Sequence, residues 1–315
     1  MIDPSPANRD SRTKSGGTVP GPGGLRAFHF SAPGPSAIPV LIAAPHGGRA
    51  YSAAILADMR DPAHSCLKLE DRFIDVLAQQ VARMTGASFL IADAPRALID
   101  LNRSENDVDW GMIEGAPGDG RMQDIGRRAL SGLGLIPRRL PDIGDIWRTP
   151  TNYSDLDARI EGIHRPYHAQ LSQMLGEIRR RWGAALLLDL HSMPPLSAAR
   201  YGSARPEFVV GDRFGASCAQ TLSAAALGHL GENSRIAGHN RPYAGGYVLD
   251  QHARPKDNIH ALQIEVCRAA YLTAAGDQLN GDAGAITELL AGLVRRLAGE
   301  TAVLTNKAGQ QEAAE

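Results

Sequence analysis

Cysteine is scarce in this chain: Cys66, Cys218 and Cys267 are the only three in 315 residues. Widely separated and odd in number, they form neither a disulfide framework nor a paired-cysteine zinc motif. They read as buried thiols of a reducing compartment. An excess of charge of either sign is also missing. With 33 basic and 34 acidic residues the formal net charge is -1, so no global field draws the protein to nucleic acid or to an anionic membrane. The arginine clusters 127–128, 138–139 and 179–181 are short and read as solvated faces. No apolar run approaches the roughly 18 residues that a membrane-spanning helix needs. Residues 1–24 carry Pro, Gly, Ser and charge but no apolar core of a secretion signal. A soluble, cytoplasmic protein is the expectation. There is no phosphate-binding G-x-x-x-x-G-K-[ST] loop and no strand-linked G-x-G-x-x-G, which leaves nucleotide chemistry without support.

What is present is an alternation of strand-like and helix-like stretches from about Leu25 onward. Strands are expected at 38–44, 88–92, 97–101, 184–190, 207–211 and 262–266. Helices are expected at 70–84, 155–182 with a break at Pro166, 214–227 and 285–297. Such alternation predicts one α/β sheet covered by helices on both faces. Residues 1–24 read as a disordered tail, 25–300 as the catalytic domain and 301–315 as a fraying C-terminal tail. The long Gly- and Pro-rich stretch 104–152 reads as a functional loop.

The chemistry-bearing residues gather where apolar runs stop. Residues 184–190 end at His191, residues 38–44 end in Pro45-His46-Gly47-Gly48, and residues 97–101 end in Asn102-Arg103. The carboxyl edge of an open α/β sheet is where ligands bind. A neutral histidine at a strand end suits zinc. Asp189, two residues before His191, faces the same side and can orient its imidazole. A zinc site needs a third protein ligand, and Glu70 or Asp71 can supply it. Glu265 lies among β-formers in Leu262-Gln-Ile-Glu-Val266, where a charge is costly to bury. It is either a carboxylate of raised pKa serving as general base near a metal-bound water or a strand glutamate facing solvent or paired with Arg268. Arg103 offers a fork for a carboxylate or an oxyanion. Residues 240–247 combine Asn240, Tyr243 and Tyr247 with two glycines, a composition suited to a substrate-contacting loop. No nucleophile has a partner pattern, so covalent catalysis is the weaker reading.

Taken together, Pro45-His-Gly-Gly48, Glu70-Asp-Arg-Phe-Ile-Asp75, Ile99-Asp-Leu-Asn-Arg103, Asp189-Leu-His-Ser-Met193, Gly211-Asp-Arg-Phe-Gly215, Asn240-Arg-Pro-Tyr-Ala-Gly-Gly-Tyr247 and Ala261-Leu-Gln-Ile-Glu265 resemble the N-formylglutamate amidohydrolase family. The resemblance runs from about Val40 to Tyr271. It implies a single-domain mixed sheet flanked by helices, zinc carboxypeptidase-like (phosphorylase/hydrolase-like), and related also to aspartoacylase-type deacylases. It implies one Zn2+ per chain on His46, Asp71 and His191, Asp71 being preferred to Glu70 because family members keep an Asp there. Glu265 and Arg103 become the catalytic pair. Asn102, Arg103, Ser192, Arg213, Asn240, Tyr243 and Tyr247 become the substrate-binding set. The implied substrate is a small-molecule N-formyl or other N-acyl amino acid, with no nucleic-acid or membrane partner. An acylase of other specificity, a carboxypeptidase-like enzyme and a non-catalytic binding protein of the same fold are the alternatives. The sequence leaves the oligomeric state open.

Overall fold

The computed structural model describes residues 13–21, 23–31, 36–116, 126–197 and 205–312. Eight strands form one mixed sheet: β1 (Thr13–Thr18), β2 (Arg26–Ser31), β3 (Val40–Ala44), β4 (Ser88–Ala92), β5 (Ala185–Met193), β6 (Phe208–Gly211), β7 (Ala237–His239) and β8 (Ile259–Cys267). Their spatial order is β1-β2-β4-β3-β5-β8-β6-β7. The middle four, β4, β3, β5 and β8, run parallel. Beyond them β2 is antiparallel to β4, and β6 is antiparallel to β8. The expected mixed sheet flanked by helices is thus what forms. No helix among the described residues is long and apolar enough to cross a membrane.

Each central strand is apolar on both sides, as a parallel strand buried between two helical layers must be. On β5, Leu186, Leu188 and Leu190 enter one core, and Ala185 and Leu187 enter the other. The first core is filled by α3 (Ile74–Thr85), α6 (Gln220–Glu232) and α8 (Ala283–Glu312). Against the second face lie α4 (Tyr153–Arg159) and α5 (Arg165–Trp182), with segments between 97 and 147. Helix α3 lays down Ile74, Leu77, Ala78, Val81 and Ala82 as one buried stripe, the spacing its sequence predicts.

The two cores explain where polar side chains stand. On β5 the face that starts with Ala185 and Leu187 continues with Asp189 and His191. On β8 the face that starts with Ile259 and Ala261 continues with Gln263 and Glu265. The period of two carries each strand from apolar to chemical as it nears its carboxyl end. In-register pairing sets Glu265 beside His191 and Gln263 beside Asp189.

Several expectations are corrected. Residues 97–101 are not a strand: after Pro95 the chain turns, with the Leu98 and Ile99 amides donating to the Pro95 carbonyl. Hydrophobicity there serves packing of a buried loop rather than a sheet. Strand β5 does not stop at Leu190 but runs to Met193, so His191 sits inside it. Thr13–Thr18, expected within a tail, forms edge strand β1, because its backbone pairs with β2. Residues 1–12 and 313–315 of the expected tails lie outside the described residues. The final helix does not end near 300 but continues to Glu312. The break expected at Pro166 takes the form of a π-turn, Ile160–His164, between α4 and α5. Proline at the start of α5 needs no donor there.

Described parts of the 104–152 stretch pack inward rather than hang free. Leu135, Ile136, Leu140, Ile146 and Trp147 join the second core, and Trp147 Nε1 donates to the Pro137 carbonyl at 2.8 Å.

The glycines after His46 are required by crowding. A Cβ on Gly48 would stand 2.2 Å from the Ala94 carbonyl oxygen, and one on Gly47 would stand 2.8 Å from Asp75 Cβ. Gly48→Ala therefore forces the His46 turn away from the loop that follows β4. The expected cost is about 1–3 kcal/mol of stability, read as a lowered thermal midpoint.

Candidate metal centre

Three elements bring His46, Asp71 and His191 together. His46 follows β3, His191 lies near the carboxyl end of β5, and Asp71 comes from the turn between α2 (Pro62–Leu69) and α3. That turn is fixed by backbone: the Asp71 amide donates to the His46 carbonyl at 2.9 Å. Phe73, in the left-handed region at φ 60°, swings the chain into α3 under the Arg49 guanidinium, 5.1 Å from its ring centre. Glu70 and Asp71 thus precede the helix rather than begin it.

All three side chains are buried, and one ligand atom from each lies within 4.8 Å of the others, a group that could hold a metal ion. Asp71 Oδ2 is 3.0 Å from His191 Nδ1 and 3.6 Å from His46 Nδ1. Each imidazole is braced from behind. His46 Nε2 donates to Asp100 Oδ1 at 2.7 Å and His191 Nε2 donates to Asp189 Oδ2 at 2.9 Å. Those bonds keep a proton on Nε2 and turn Nδ1 of each ring inward, where its lone pair serves a cation once any proton there is displaced. His46 Nδ1 is buried without a hydrogen-bond partner, a state a cation would relieve. The other Asp71 oxygen is occupied: Oδ1 accepts from Ser192 Oγ and from Arg268 Nη2, both at 3.2 Å. The donor set therefore fits a divalent cation, with two histidine nitrogens and one carboxylate oxygen converging.

Charges follow the geometry. Burial works against ionisation of Asp71, yet the two imidazoles beside it, His191 first and then His46, hold its carboxyl well below the usual range. Burial opposes charge on His191 too, but Asp189 and Asp71 raise it well above its ordinary value. Asp100 is likewise buried and is held low by Arg96 and His46. These anions are arranged to receive positive charge. Beside them Glu265 is pushed up to about 7, chiefly by burial, against the pull of His191. It accepts from Gln263 Nε2 at 2.8 Å.

Glu265 is not paired with Arg268, the alternative its sequence context allowed. Arg268 instead spans Asp71, Ser192 Oγ and the Glu70 carbonyl. Glu70, the other candidate ligand, points elsewhere, with Oε2 3.3 Å from Arg72 Nε. Ser192, expected against substrate, has its hydroxyl engaged on Asp71. Asn240, expected in the same role, spends its amide on Asp212: its Oδ1 accepts the Asp212 backbone amide at 2.9 Å, and its Nδ2 donates to Asp212 Oδ1 at 2.7 Å. Neither residue is among those lining the cavity described next.

Asn102, Arg103, Arg213 and Tyr247 do line one cavity of about 490 Å3, joined by Arg128 and Asp250. Asn102 Oδ1 accepts the Val248 amide at 2.9 Å. Arg103 donates from Nε to the Leu133 carbonyl and from Nη1 to the Asn102 carbonyl. None of His46, Asp71 and His191 lines this cavity, but Asp100, two residues before Asn102, holds His46. Tyr243 stands closer to the cluster: burial first, then the charges of Glu265 and Arg268, act on its hydroxyl, which is raised above its ordinary value.

Sequence reasoning missed Arg96, Arg128, Asp250 and the role of Arg268. Arg96 Nε donates to Asp100 Oδ2 at 2.9 Å and feels the charges of Asp71 and Glu265. An arginine four residues before an acid is too common a pattern to mark it.

Sheet and cluster together define an α/β protein with a candidate metal centre, a carboxyl pushed up to about 7 standing on the neighbouring strand. A model of the N-formylglutamate amidohydrolase family matches residues 38–272, and this chain belongs to that family. The N-formylglutamate deformylase of Pseudomonas putida is 30% identical over 239 residues, 75% of this chain and 82% of that protein. The one of Pseudomonas aeruginosa is 27% identical over 246 residues, again 75% and 82%. The crystal structure of N-formylglutamate amidohydrolase from Ralstonia eutropha JMP134 superimposes with a TM-score of 0.78 at 30% identity, covering 87% of this chain and 98% of that one.

Proposed function

We propose that this protein is a cytoplasmic zinc-dependent amidohydrolase that cleaves N-formylglutamate to formate and glutamate, with one Zn2+ held by His46, Asp71 and His191. The observation that carries the reading is the convergence of three buried ligand atoms within 4.8 Å beside a carboxyl pushed up to about 7. When bound, the zinc would lower the pKa of water and polarise the formyl carbonyl.

The chain's own residues do the rest. Glu265 takes a proton from the attacking water and returns it to the amine nitrogen as the C–N bond breaks. Asp100 and Asp189 hold the two imidazoles in the tautomer that presents Nδ1. Arg268 and Ser192 fix the Asp71 carboxylate so that only one oxygen faces inward. Asn102 and Arg103 bind the amino acid's carboxylate; Arg128 adds a second cation to the cavity wall, while Arg213 lines it paired with Asp250 at 2.6 Å. A dicarboxylate such as N-formylglutamate can meet Arg103 with one carboxylate and Arg128 with the other.

The test is a substrate panel on the zinc-loaded protein. N-formylglutamate is expected to turn over with a kcat/KM at least about tenfold above N-formylglutamine, since losing one charged hydrogen-bond partner costs about 1.5–3 kcal/mol. N-acetylglutamate is expected to be slower than the formyl substrate. Equal rates for the charged and uncharged side chains would remove the role given to the arginines. No hydrolysis of any formyl substrate would remove the reading.

A further inference from the structure

Three histidines outside the metal centre form a second buried cluster: His164 at the end of the π-turn, His168 on α5, and His252 on α7 (Tyr247–His252). None of them lines the cavity, yet their neighbours do. His164 Nε2 lies 2.8 Å from the Arg103 carbonyl oxygen. A carbonyl only accepts, so this nitrogen carries the hydrogen. His168 Nδ1 is 2.9 Å from His252 Nε2, and Ser172 Oγ is 3.2 Å from His252 Nδ1.

Burial keeps all three rings below their ordinary pKa, His252 at about 4. Neutral rings carry one N–H each, so Ser172, His252 and His168 form a chain of hydrogen bonds that runs one way or the other, from the Ser172 hydroxyl towards His168 or in reverse. His168 Nε2 is buried without a hydrogen-bond partner. The backbone group acting on that ring is Leu101. The two histidines of one helical segment thus address the residues on either side of Asn102. The Tyr247 ring closes the arrangement, 5.7 Å from the His164 ring and 5.1 Å edge-on from His168. Asn102 Oδ1 reaches across to the amide of Val248 beside it.

We propose that His164 is a positioning residue for substrate binding: its Nε2–H anchors the Arg103 carbonyl and keeps the side chains of Asn102 and Arg103 on the cavity, while the His168–His252 bond ties Tyr247 to the same brace. The inference rests on the reading of that cavity as the substrate site. The π-turn gains a purpose from it. An uninterrupted helix from Tyr153 to Trp182 would set residue 164 about 100° away around the axis for each residue gained or lost, and its ring would leave the Arg103 carbonyl.

Two variants separate anchoring from packing. His164→Phe keeps a buried ring and loses the donor, whereas His164→Gln keeps an N–H at similar reach and loses the ring. In the zinc-loaded enzyme His164→Phe is expected to raise KM for N-formylglutamate about tenfold, with kcat within about threefold of the parent. His164→Gln is expected to stay within about threefold in both. Backbone hydrogen exchange gives a readout independent of activity. The amides of Asn102, Arg103 and Val248 are expected to lose protection in His164→Phe and keep it in His164→Gln. Parental KM and protection in His164→Phe would overturn the proposal, as would equal loss in both variants. Loss of protection confined to His164→Phe in a protein that hydrolyses no formyl substrate would leave the anchor standing and remove the function instead.

Discussion

His191→Ala is expected to leave a folded protein that neither retains a metal ion nor hydrolyses N-formylglutamate. The expected result follows from how few groups converge. His191 supplies one of the inward nitrogens, and its removal leaves His46 Nδ1 and Asp71 Oδ2 facing a void. A site of three ligands reduced to two loses most of its affinity for zinc. Folding survives because β5 is held along its length by β3 and β8. Leu186, Leu188 and Leu190 still fill their core. Metal analysis by plasma mass spectrometry, with circular dichroism beside it, checks both halves. Full activity in the variant would end the proposed mechanism. A protein without metal even after zinc addition, parent and variant alike, would move a non-catalytic binding role to the front.

Glu265→Gln is expected to bind zinc as the parent does and to lose turnover by about 10²–10⁴-fold, the usual contribution of a positioned general base. Glutamine fills the same space and can still meet Gln263, but it accepts no proton from water. A pH effect follows with its own sign. Burial holds the metal-free Glu265 carboxyl at about 7, so its basic form grows as pH rises through that value. A bound cation draws the value lower, and the acid limb of kcat/KM is expected below 7 and absent from the glutamine variant. The same shift bears on stability. The unfolded chain ionises this group near its ordinary 4.5 and the folded protein near 7, so between these values unfolding releases a proton. Raising the pH therefore favours unfolding of the metal-free protein. Glu265→Gln removes that burden, and its metal-free form is expected to melt higher than the parent's at pH 8, by roughly 1–3 kcal/mol of stability. At pH 4 the two should melt alike as far as this residue is concerned. A variant with lower stability at pH 8 would mean that Glu265 is held ionised by its neighbours at no cost.

The parts of the site legible in the sequence are those written by strand periodicity. Asp189 and His191 two apart, and Gln263 and Glu265 two apart, had to share a face. The apolar residues before them had to be buried. A histidine followed by Gly-Gly had to be a tight turn. Residues 97–101 show the limit of that reasoning, because apolar side chains packed under a loop have the same composition as those of a short strand. Asn240 and Ser192 show another. A polar side chain near a site reads the same whether it faces the cavity or braces a neighbour, and only the direction of its hydrogen bonds distinguishes the two.

The sequence by itself determined the alternating α/β architecture, the two histidines, the adjoining pair Glu70 and Asp71, and the buried glutamate, since each rests on local spacing. The tertiary structure decided the rest. It chose Asp71 over Glu70 by tying one backbone amide to the His46 carbonyl. It brought Asp100 behind His46 across 54 residues and Arg268 onto Asp71 across 197. It set His164 beneath the Arg103 carbonyl across 61 residues. Such pairings depend on strand order and loop path, to which no short window of sequence has access.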